Sequence, residues 1–111
     1  MPVDAEQIDP DVMRTAASRA AGLLKALANS DRLMLLCQLT QGEHCVSELE
    51  SKAGVMQPTL SQQLTVLREE QLVTTRREGK QIFYSLASQE ATAVLQVLYQ
   101  FYCVGVKGKK S

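Results

Sequence analysis

The chain has 111 residues, with 12 Lys and Arg against 12 Asp and Glu, and its formal net charge is zero at pH 7. This length predicts one domain with its own core, and an apolar content of 45% excludes an intrinsically disordered chain. Because it has neither a signal-peptide pattern nor an apolar run of ~20 residues, we expect a cytoplasmic protein without membrane contact.

Hydrophobic periodicity predicts three helices in the first half of the chain. Pro10 suits a first helical turn, and Ser30 is expected to cap a second helix that Gln41-Gly42 ends. The segment Ser47-Glu48-Leu49-Glu50 has the pattern of a capping box and predicts a short third helix that stops at Gly54. The predicted inward positions of the second helix are Leu33, Met34, Leu36, Cys37 and Leu39.

A fourth helix and a β-hairpin are predicted next. Pro58 is expected at the first position of this helix. Its predicted inward positions are Leu60, Leu64 and Leu67. Alternating patterns over 72–77 and 81–86 predict two strands, with Gly79 allowing the positive φ of a tight turn. Two short helices, a turn near Gly54 and a hairpin predict a winged helix-turn-helix, which is mainly α with a two-stranded β-hairpin.

The two ends of the chain are predicted to lie outside this domain. Ser88 is expected to cap a last helix whose apolar face extends to Phe101 and Tyr102. Residues 1–10 are predicted to be a flexible N-terminus, and residues 104–111 a flexible basic tail. The domain itself is therefore expected to cover residues 11–103.

The fourth helix has a polar face suited to DNA. At about 100° per residue, Gln62 points away from the three leucines and is flanked by Thr59, Ser61 and Thr65. Amides and hydroxyls suit base reading in the major groove, since Gln can bond adenine bidentately. The hairpin carries cations suited to phosphate contact, namely Arg76, Arg77 and Lys80. The alternative is a solvated polar helix beside a charged hairpin.

The run SELESKAGVMQPTLSQQLTVLREEQLVTTRREGKQIFYSL resembles the ArsR/SmtB family of winged-helix repressors, and the preceding LLKALANSDRLMLLCQL is similar to the family's helix pair. The resemblance implies a repressor that binds an inverted-repeat operator in double-stranded DNA as a homodimer paired through its first and last helices. The positions that match the family's recognition helix and wing are Gln57, Thr59, Ser61, Gln62, Gln63, Arg77 and Lys80. The family usually has His at the position of Gln63. The apolar residues expected at the dimer contact are Ala16, Ala20, Leu95, Leu98 and Phe101.

Three cysteines without CxxC spacing, Cys37, Cys45 and Cys103, do not predict a structural disulfide framework. The family's metal site on the third helix uses a Cys-x-Cys pair, whereas here Ser47 stands where the second cysteine would be. His44, the single histidine, is expected to form with Cys45 a partly exposed loop-to-helix pair without a ligand. We therefore predict no metal site and no cofactor.

One branch of the family, the BigR/SqrR-type persulfide sensors and the similar HlyU-type regulators, has a cysteine pair at the positions that match Cys37 and Cys103. The chain shares with this branch the segments QPTLSQQL, KQIFY and YQFYC. The resemblance implies that persulfide or polysulfide crosslinks Cys37 and Cys103 and releases the DNA, with Cys45 as a bystander. Judged without this kinship, the two cysteines would be ordinary apolar core residues.

Other functions fit part of the same pattern. They include a general redox- or metal-responsive ArsR-type repressor, an HlyU-like antirepressor that activates by displacing a silencer, and a winged helix that binds a protein instead of DNA. A thiol oxidoreductase would need a CxxC motif and a general base, and only His44 is near a cysteine in sequence. We therefore expect no enzymatic activity.

Overall fold

The computed structural model describes residues 9–103, which contain five α-helices and three β-strands. In chain order they are α1 (Pro10–Leu27), α2 (Ser30–Leu39), β1 (His44–Cys45), α3 (Val46–Ala53), α4 (Thr59–Glu69), β2 (Val73–Glu78), β3 (Gln81–Leu86) and α5 (Gln89–Tyr102). The predicted winged helix-turn-helix is confirmed, with α3 and α4 as the helix pair and β2-β3 as the wing. Segments 1–8 and 104–111, predicted to be flexible, lie outside the described residues.

The sheet is antiparallel with the strand order β1-β3-β2, so a third, short strand adds to the predicted hairpin. His44 of β1 pairs with Tyr84, and Cys45 pairs with Phe83. Both residues of β1 are buried, which corrects the expectation of a partly exposed pair. A strand of two residues has no alternating pattern that a sequence reading can detect.

Three helices begin differently from the prediction. Helix α4 begins at Thr59, so Pro58 is its N-cap and not its first residue. Asn29 caps α2 in place of Ser30, because its side-chain oxygen accepts a hydrogen bond from the backbone N–H three residues later at 2.9 Å. Helix α3 begins at Val46, where the Glu48 carboxylate accepts from the backbone N–H of Cys45 at 2.9 Å. The predicted capping box is therefore present but starts two residues earlier.

The core is built from leucines of α2, α3 and α4. Its largest fully buried side chains are Leu35, Leu36, Leu49, Leu60 and Leu67. The predicted inward face of α4 is confirmed, but the prediction for α2 is wrong at two adjacent positions. Leu35 is fully buried there, whereas Met34 is 46% exposed. This rotation of α2 leaves Met34 and Cys37 at the rim of the core, next to α5.

Helix α5 is capped by Ser88 as predicted, since its hydroxyl accepts from the backbone N–H of Ala91 at 3.0 Å. Ala91 and Leu95 are buried in the core, whereas Phe101 is exposed. Leu95, expected at a dimer contact, is thus already covered by its own chain. Over residues 9–103, no helix has the length and apolar character needed to cross a membrane.

Candidate DNA-binding surface and cysteine cleft

Helix α4 presents the polar face that the sequence predicts. Gly54 ends α3 in the left-handed conformation with φ of 72°, and this allows the sharp turn into α4. Ser61, Gln62 and Thr65 are exposed, and Thr59 is half-buried. The structure thus brings the predicted recognition residues of α4 onto one accessible surface.

The side chain of Gln57 forms hydrogen bonds with the first turn of α4. Its Oε1 atom accepts hydrogen bonds from the backbone N–H of Ser61 at 3.1 Å and from the Ser61 hydroxyl at 2.8 Å. A carbonyl oxygen has two lone pairs, so both are occupied. Gln57 therefore satisfies an N–H in the first turn of the helix and keeps only its NH₂ group for another partner.

Gln63 is also engaged within the chain. Its Oε1 atom accepts a hydrogen bond of 2.7 Å from Nη1 of Arg32, which lies on α2. Gln62, in contrast, is exposed and has no side-chain hydrogen-bond partner within residues 9–103. Of the three predicted glutamines, only Gln62 has both its amide oxygen and its NH₂ group free for a bidentate contact with adenine.

The cations of the wing are of two kinds, exposed at the tip or paired with carboxylates. Arg77 and Lys80 are exposed near the tip, where Gly79 has the positive φ (66°) that the sequence predicts. Arg76 is paired inside the chain instead. Its Nε and Nη2 atoms donate to the two carboxylate oxygens of Glu43, each at 2.8 Å. Arg77 Nη1 donates only to the carbonyl oxygen of Gly79 at 3.4 Å, so the cations at the tip have no carboxylate partner within residues 9–103.

Further contacts hold Arg76 against the sheet. Its Nη1 atom donates to Glu78 at 2.9 Å, and its guanidinium carbon lies 4.7 Å from the centroid of the Phe83 ring. Hydrogen bonds to Glu43 and Glu78 raise the pKa of Arg76, and the bond from Arg76 lowers the pKa of Glu43. Because two carboxylates balance its charge, Arg76 is less suited to phosphate contact than the sequence suggests.

Cys37 and Cys103 lie at the same cleft between α2 and α5. The cleft has a volume of about 890 Å³, and its walls include Met34, Leu95 and Tyr99. Both cysteines are half-buried free thiols. Burial, and then the charge of Cys103, raises the pKa of the Cys37 thiol. The structure thus brings together the two cysteines that the family resemblance pairs.

Cys45 and His44 are placed away from this cleft. The sulfur of Cys45 is buried 3.3 Å from the Ser47 hydroxyl. His44 Nδ1 donates to the carbonyl oxygen of Gly42 at 2.7 Å. In the part of the chain that the structure describes, no group of three or more His, Cys, Asp or Glu is placed to hold a metal ion.

Comparison with known proteins identifies the family. Residues 29–75 match the profile of bacterial regulatory proteins of the arsR family. A biofilm growth-associated repressor of Agrobacterium fabrum is 52% identical over 102 residues, which cover 92% of this chain and 87% of that protein. The chain belongs to the ArsR family. Another relative of this ArsR-family chain, the transcriptional activator HlyU of Vibrio cholerae, is 43% identical over 82% of this chain and 84% of its own length.

Solved structures agree with this assignment. The transcriptional repressor BigR of Xylella fastidiosa superposes on the ArsR-family chain with a TM-score of 0.79 at 47% identity, covering 87% of this chain and 99% of that one. Reduced HlyU of Vibrio cholerae gives a TM-score of 0.78 at 43% identity, covering 82% and 96%. The predicted resemblance to BigR- and HlyU-type regulators is confirmed, and members of this family bind DNA.

Two residues of the ArsR-family surface have no sequence signal. Arg32 contacts the recognition helix from 31 positions away, and Glu43 binds Arg76 from 33 positions away. Hydrophobic periodicity and turn motifs report on neighbours within a few positions, so neither pairing can be read from the pattern. Only the structure therefore shows that Arg32 and Glu43 contact residues of this surface.

Proposed function

We propose that the protein is a transcriptional repressor that binds an inverted-repeat operator in double-stranded DNA as a homodimer. The repressor is released when persulfide or polysulfide crosslinks Cys37 and Cys103. The observation that carries the sensing part is the shared cleft of these two free thiols. The DNA-binding part rests on the accessible polar face of α4 and on the family.

Base reading is assigned to α4 and backbone contact to the wing. Gln62 has the free amide needed for an adenine edge, and Ser61 and Thr59 offer hydroxyls for bases or phosphates. Arg77 and Lys80 supply the exposed cations at the tip of the wing, which suit the phosphate backbone or the minor groove. Each protomer thereby has one part that specifies the sequence and one that supplies affinity.

Dimerisation through α1 and α5 is supported by the exposure of their apolar residues. Helix α1 has 18 residues, of which only Ala26 and Leu27 are buried. A helix that buries so little of itself in its own chain gains stability from a second contact. Val12, Leu24 and Phe101 are 64%, 58% and 78% exposed. A two-fold dimer would place two recognition helices about one turn of DNA (~34 Å) apart.

The sensing chemistry consumes two persulfide molecules. Each thiolate attacks the sulfane sulfur of one molecule of RSSH, forming Cys–S–SH and releasing RS⁻. The deprotonated perthiol of one cysteine then attacks the original sulfur of the other, and HS⁻ leaves. The product is a trisulfide between Cys37 and Cys103. Overall, two thiols and two RSSH give the trisulfide, two RSH and one H₂S.

The inserted sulfur gives the proposed sensor its selectivity. A direct disulfide needs Cα atoms within ~7 Å, and each added sulfur lengthens the bridge by ~2 Å of bond length. If α2 and α5 hold the thiols slightly too far apart for a direct bond, sulfane sulfur closes the bridge with less strain than peroxide. The bridge would then tether α2 to α5 and shift the packing under α4, so that the dimer no longer matches both half-sites.

Binding assays with matched cysteine variants test the sensor. The wild type, Cys37→Ser, Cys103→Ser and Cys45→Ser would each be titrated with a duplex that the wild type selects from a randomised pool. The titrations are run with and without a glutathione persulfide donor. We expect the donor to release the wild type and Cys45→Ser but neither of the other two variants. Release of Cys37→Ser or Cys103→Ser would overturn the crosslink.

Mass spectrometry of the Cys37–Cys103 peptide tests the selectivity. We expect a trisulfide after treatment with the persulfide donor, and little crosslinked peptide after hydrogen peroxide or diamide. An equal yield of plain disulfide from all three reagents would reject selectivity for sulfane sulfur while leaving a general dithiol sensor in place.

One relative favours a second candidate function, in which the protein activates transcription instead of repressing it. The Vibrio cholerae protein with 43% identity is a transcriptional activator. An antirepressor would use the same α4 surface but displace a silencer from the promoter. A chromosomal deletion combined with a reporter fusion separates the two, because loss of a repressor raises transcription of the target and loss of an antirepressor lowers it.

A further inference from the structure

Arg32 connects three helices through its side chain. Its Nε atom donates to the carbonyl oxygen of Ala26 at 2.6 Å, and its Nη2 atom donates to that of Lys25 at 3.3 Å. Its Nη1 atom donates to the Gln63 amide oxygen at 2.7 Å. One guanidinium on α2 thus contacts both the last turn of α1 and the recognition helix α4.

The contact with α1 has a clear physical cause. The last carbonyls of a helix have no partner within the helix and carry the negative end of its dipole. A guanidinium has five N–H donors in a fixed planar arrangement, so it can satisfy two such carbonyls and still donate elsewhere. Arg32 is itself held in place, because its backbone N–H donates to the Asn29 side chain at 2.9 Å.

We infer that Arg32 and Gln63 form a positioning pair that sets the orientation of α4 relative to the end of α1. On this inference, Gln63 contributes to DNA binding through Arg32 and does not read a base. Its amide oxygen is occupied and its side chain is half-buried, whereas the neighbouring Gln62 is exposed. A bidentate contact with adenine would require that oxygen for the base.

The positioning pair deepens the proposed function and rests on it. In the proposed dimer, α1 lies at the contact between the protomers, so a link from α1 to α4 fixes each recognition helix relative to the two-fold axis. Losing the link would make the orientation of the recognition helix less well defined in both protomers. The affinity for an inverted repeat should then fall, while the order of preference among bases stays the same.

The test uses three single variants and one double variant. Arg32→Met keeps the aliphatic stem and removes the donors, Gln63→Met removes the acceptor at similar volume, and Gln63→Glu keeps an acceptor. The probes are a 30-bp duplex that the wild type selects from a randomised inverted-repeat pool, and a panel carrying single base changes in it. Circular dichroism melting checks that each variant folds.

We expect Arg32→Met and Gln63→Met each to weaken binding about tenfold, as loss of a hydrogen bond to a charged group does. The double variant should lose about tenfold as well, and not about a hundredfold, because each substitution already breaks the one link from α1 through Arg32 to α4. Gln63→Glu should bind more tightly than Gln63→Met. The dependence of affinity on salt should not change with Arg32→Met, since the role inferred for Arg32 includes no phosphate contact.

Several results would overturn the positioning pair. A Gln63→Met profile that loses preference at one base position, with Arg32→Met at wild-type affinity, would make Gln63 a base reader. An additive loss in the double variant would show that the two residues act separately. A folded wild type that selects no duplex would remove the proposed function and this inference together, whereas the other results leave DNA binding intact.

Discussion

Cys37 lies in the last turn of α2, where three effects favour the neutral thiol. Burial is the largest cause of its raised pKa, and the charge of Cys103 adds to it. The negative end of the helix dipole acts in the same direction. Because even an unperturbed cysteine has a pKa near 8.5, Cys37 is mainly protonated at pH 7. Its reactions with electrophiles should therefore be slow at neutral pH.

The alkylation rate of Cys37 should follow this raised pKa. We expect iodoacetamide labelling to accelerate about tenfold per pH unit from roughly pH 6.5 to 8. Cys103→Ser removes a charge that raises the Cys37 pKa, so it should increase the Cys37 rate at alkaline pH, where cysteine thiolates form. Peptide mass spectrometry in a Cys45→Ser background measures both, with Cys45→Ser alone as the control. No change on Cys103→Ser would contradict electrostatic contact across the cleft.

Glu43 should contribute to stability only in its charged form. The hydrogen bond from Arg76 lowers its pKa in the folded state. The ion pair is therefore fully effective above the unfolded-state pKa of about 4.3 and is lost as the pH falls through the lower folded value. We expect Glu43→Gln to melt below the wild type at pH 6, and this gap to close as the pH is lowered below 4 or so.

Thermal unfolding followed by circular dichroism at several pH values measures this gap. Glu69→Gln is the matched control, because Glu69 forms no ion pair within residues 9–103. A gap between wild type and Glu43→Gln that stayed constant down to pH 3 would argue against the ion pair. Since the side chains of Arg76 and Glu43 are 51% and 32% exposed, the gap should also shrink in high salt.

Helix α4 and the wing are predictable from sequence because their signals are local. Leucines at helical spacing define the inner face of α4, and a glycine between alternating segments defines the hairpin. The strand β1 has only two residues, too short for any period. The bonds from Arg32 to Gln63 and from Arg76 to Glu43 join residues 31 and 33 positions apart, so only the folded chain brings them together.

The pairing of Cys37 with Cys103 could be predicted from the sequence only through the resemblance to the family. Cys37 follows Leu33, Leu35 and Leu36, where a small apolar thiol fits an ordinary core. Nothing in that pattern connects it with Cys103 at the far end of the chain. The rotation of α2 that leaves Cys37 at the rim depends on how α2 packs against its neighbours, which periodicity resolved wrongly at Met34 and Leu35.

The turn between α3 and α4 depends on Gly54. At φ of 72° a side chain is strained, although a Cβ atom there would meet no atom within 4 Å. The cost of a substitution is therefore conformational and not steric. We expect Gly54→Ala to lower the free energy of unfolding by about 1 kcal/mol, and Gly54→Asn to cost less because Asn tolerates this conformation. Urea unfolding measures both, and equal stability of the Ala variant and the wild type would contradict the strain.

The apolar surface of α1 and α5 should control the oligomeric state. Phe101 is 78% exposed in the single chain, and exposed apolar area of this kind is typical of interfaces. We expect the wild type to be a dimer and Phe101→Glu to shift it to monomer, because a carboxylate at the contact would lose its hydration. Analytical ultracentrifugation measures the mass. Met56→Glu is the control, since Met56 is 59% exposed outside both helices and should leave the dimer intact.

The molecule as a whole carries no net charge, so its attraction to DNA must come from the arrangement of its charges. Within residues 9–103, Arg77 and Lys80 at the wing tip form no ion pair, whereas Glu43 and Glu78 balance Arg76. Each phosphate contact releases counterions and steepens the fall of affinity with salt by about 0.9 in the log–log slope. The change in salt slope on mutating each cation therefore distinguishes a residue that contacts phosphate from one that only stabilises the wing.

We expect Arg77→Gln and Lys80→Gln each to reduce the salt slope by about 1 per protomer, and Arg76→Gln to lower affinity while leaving the slope unchanged. Fluorescence anisotropy of a labelled operator duplex over a range of salt concentrations gives all three slopes. A slope near zero for the wild type would favour a protein partner over DNA. An Arg76→Gln slope that fell as far as that of Arg77→Gln would show that Arg76 leaves Glu43 to bind phosphate in the complex.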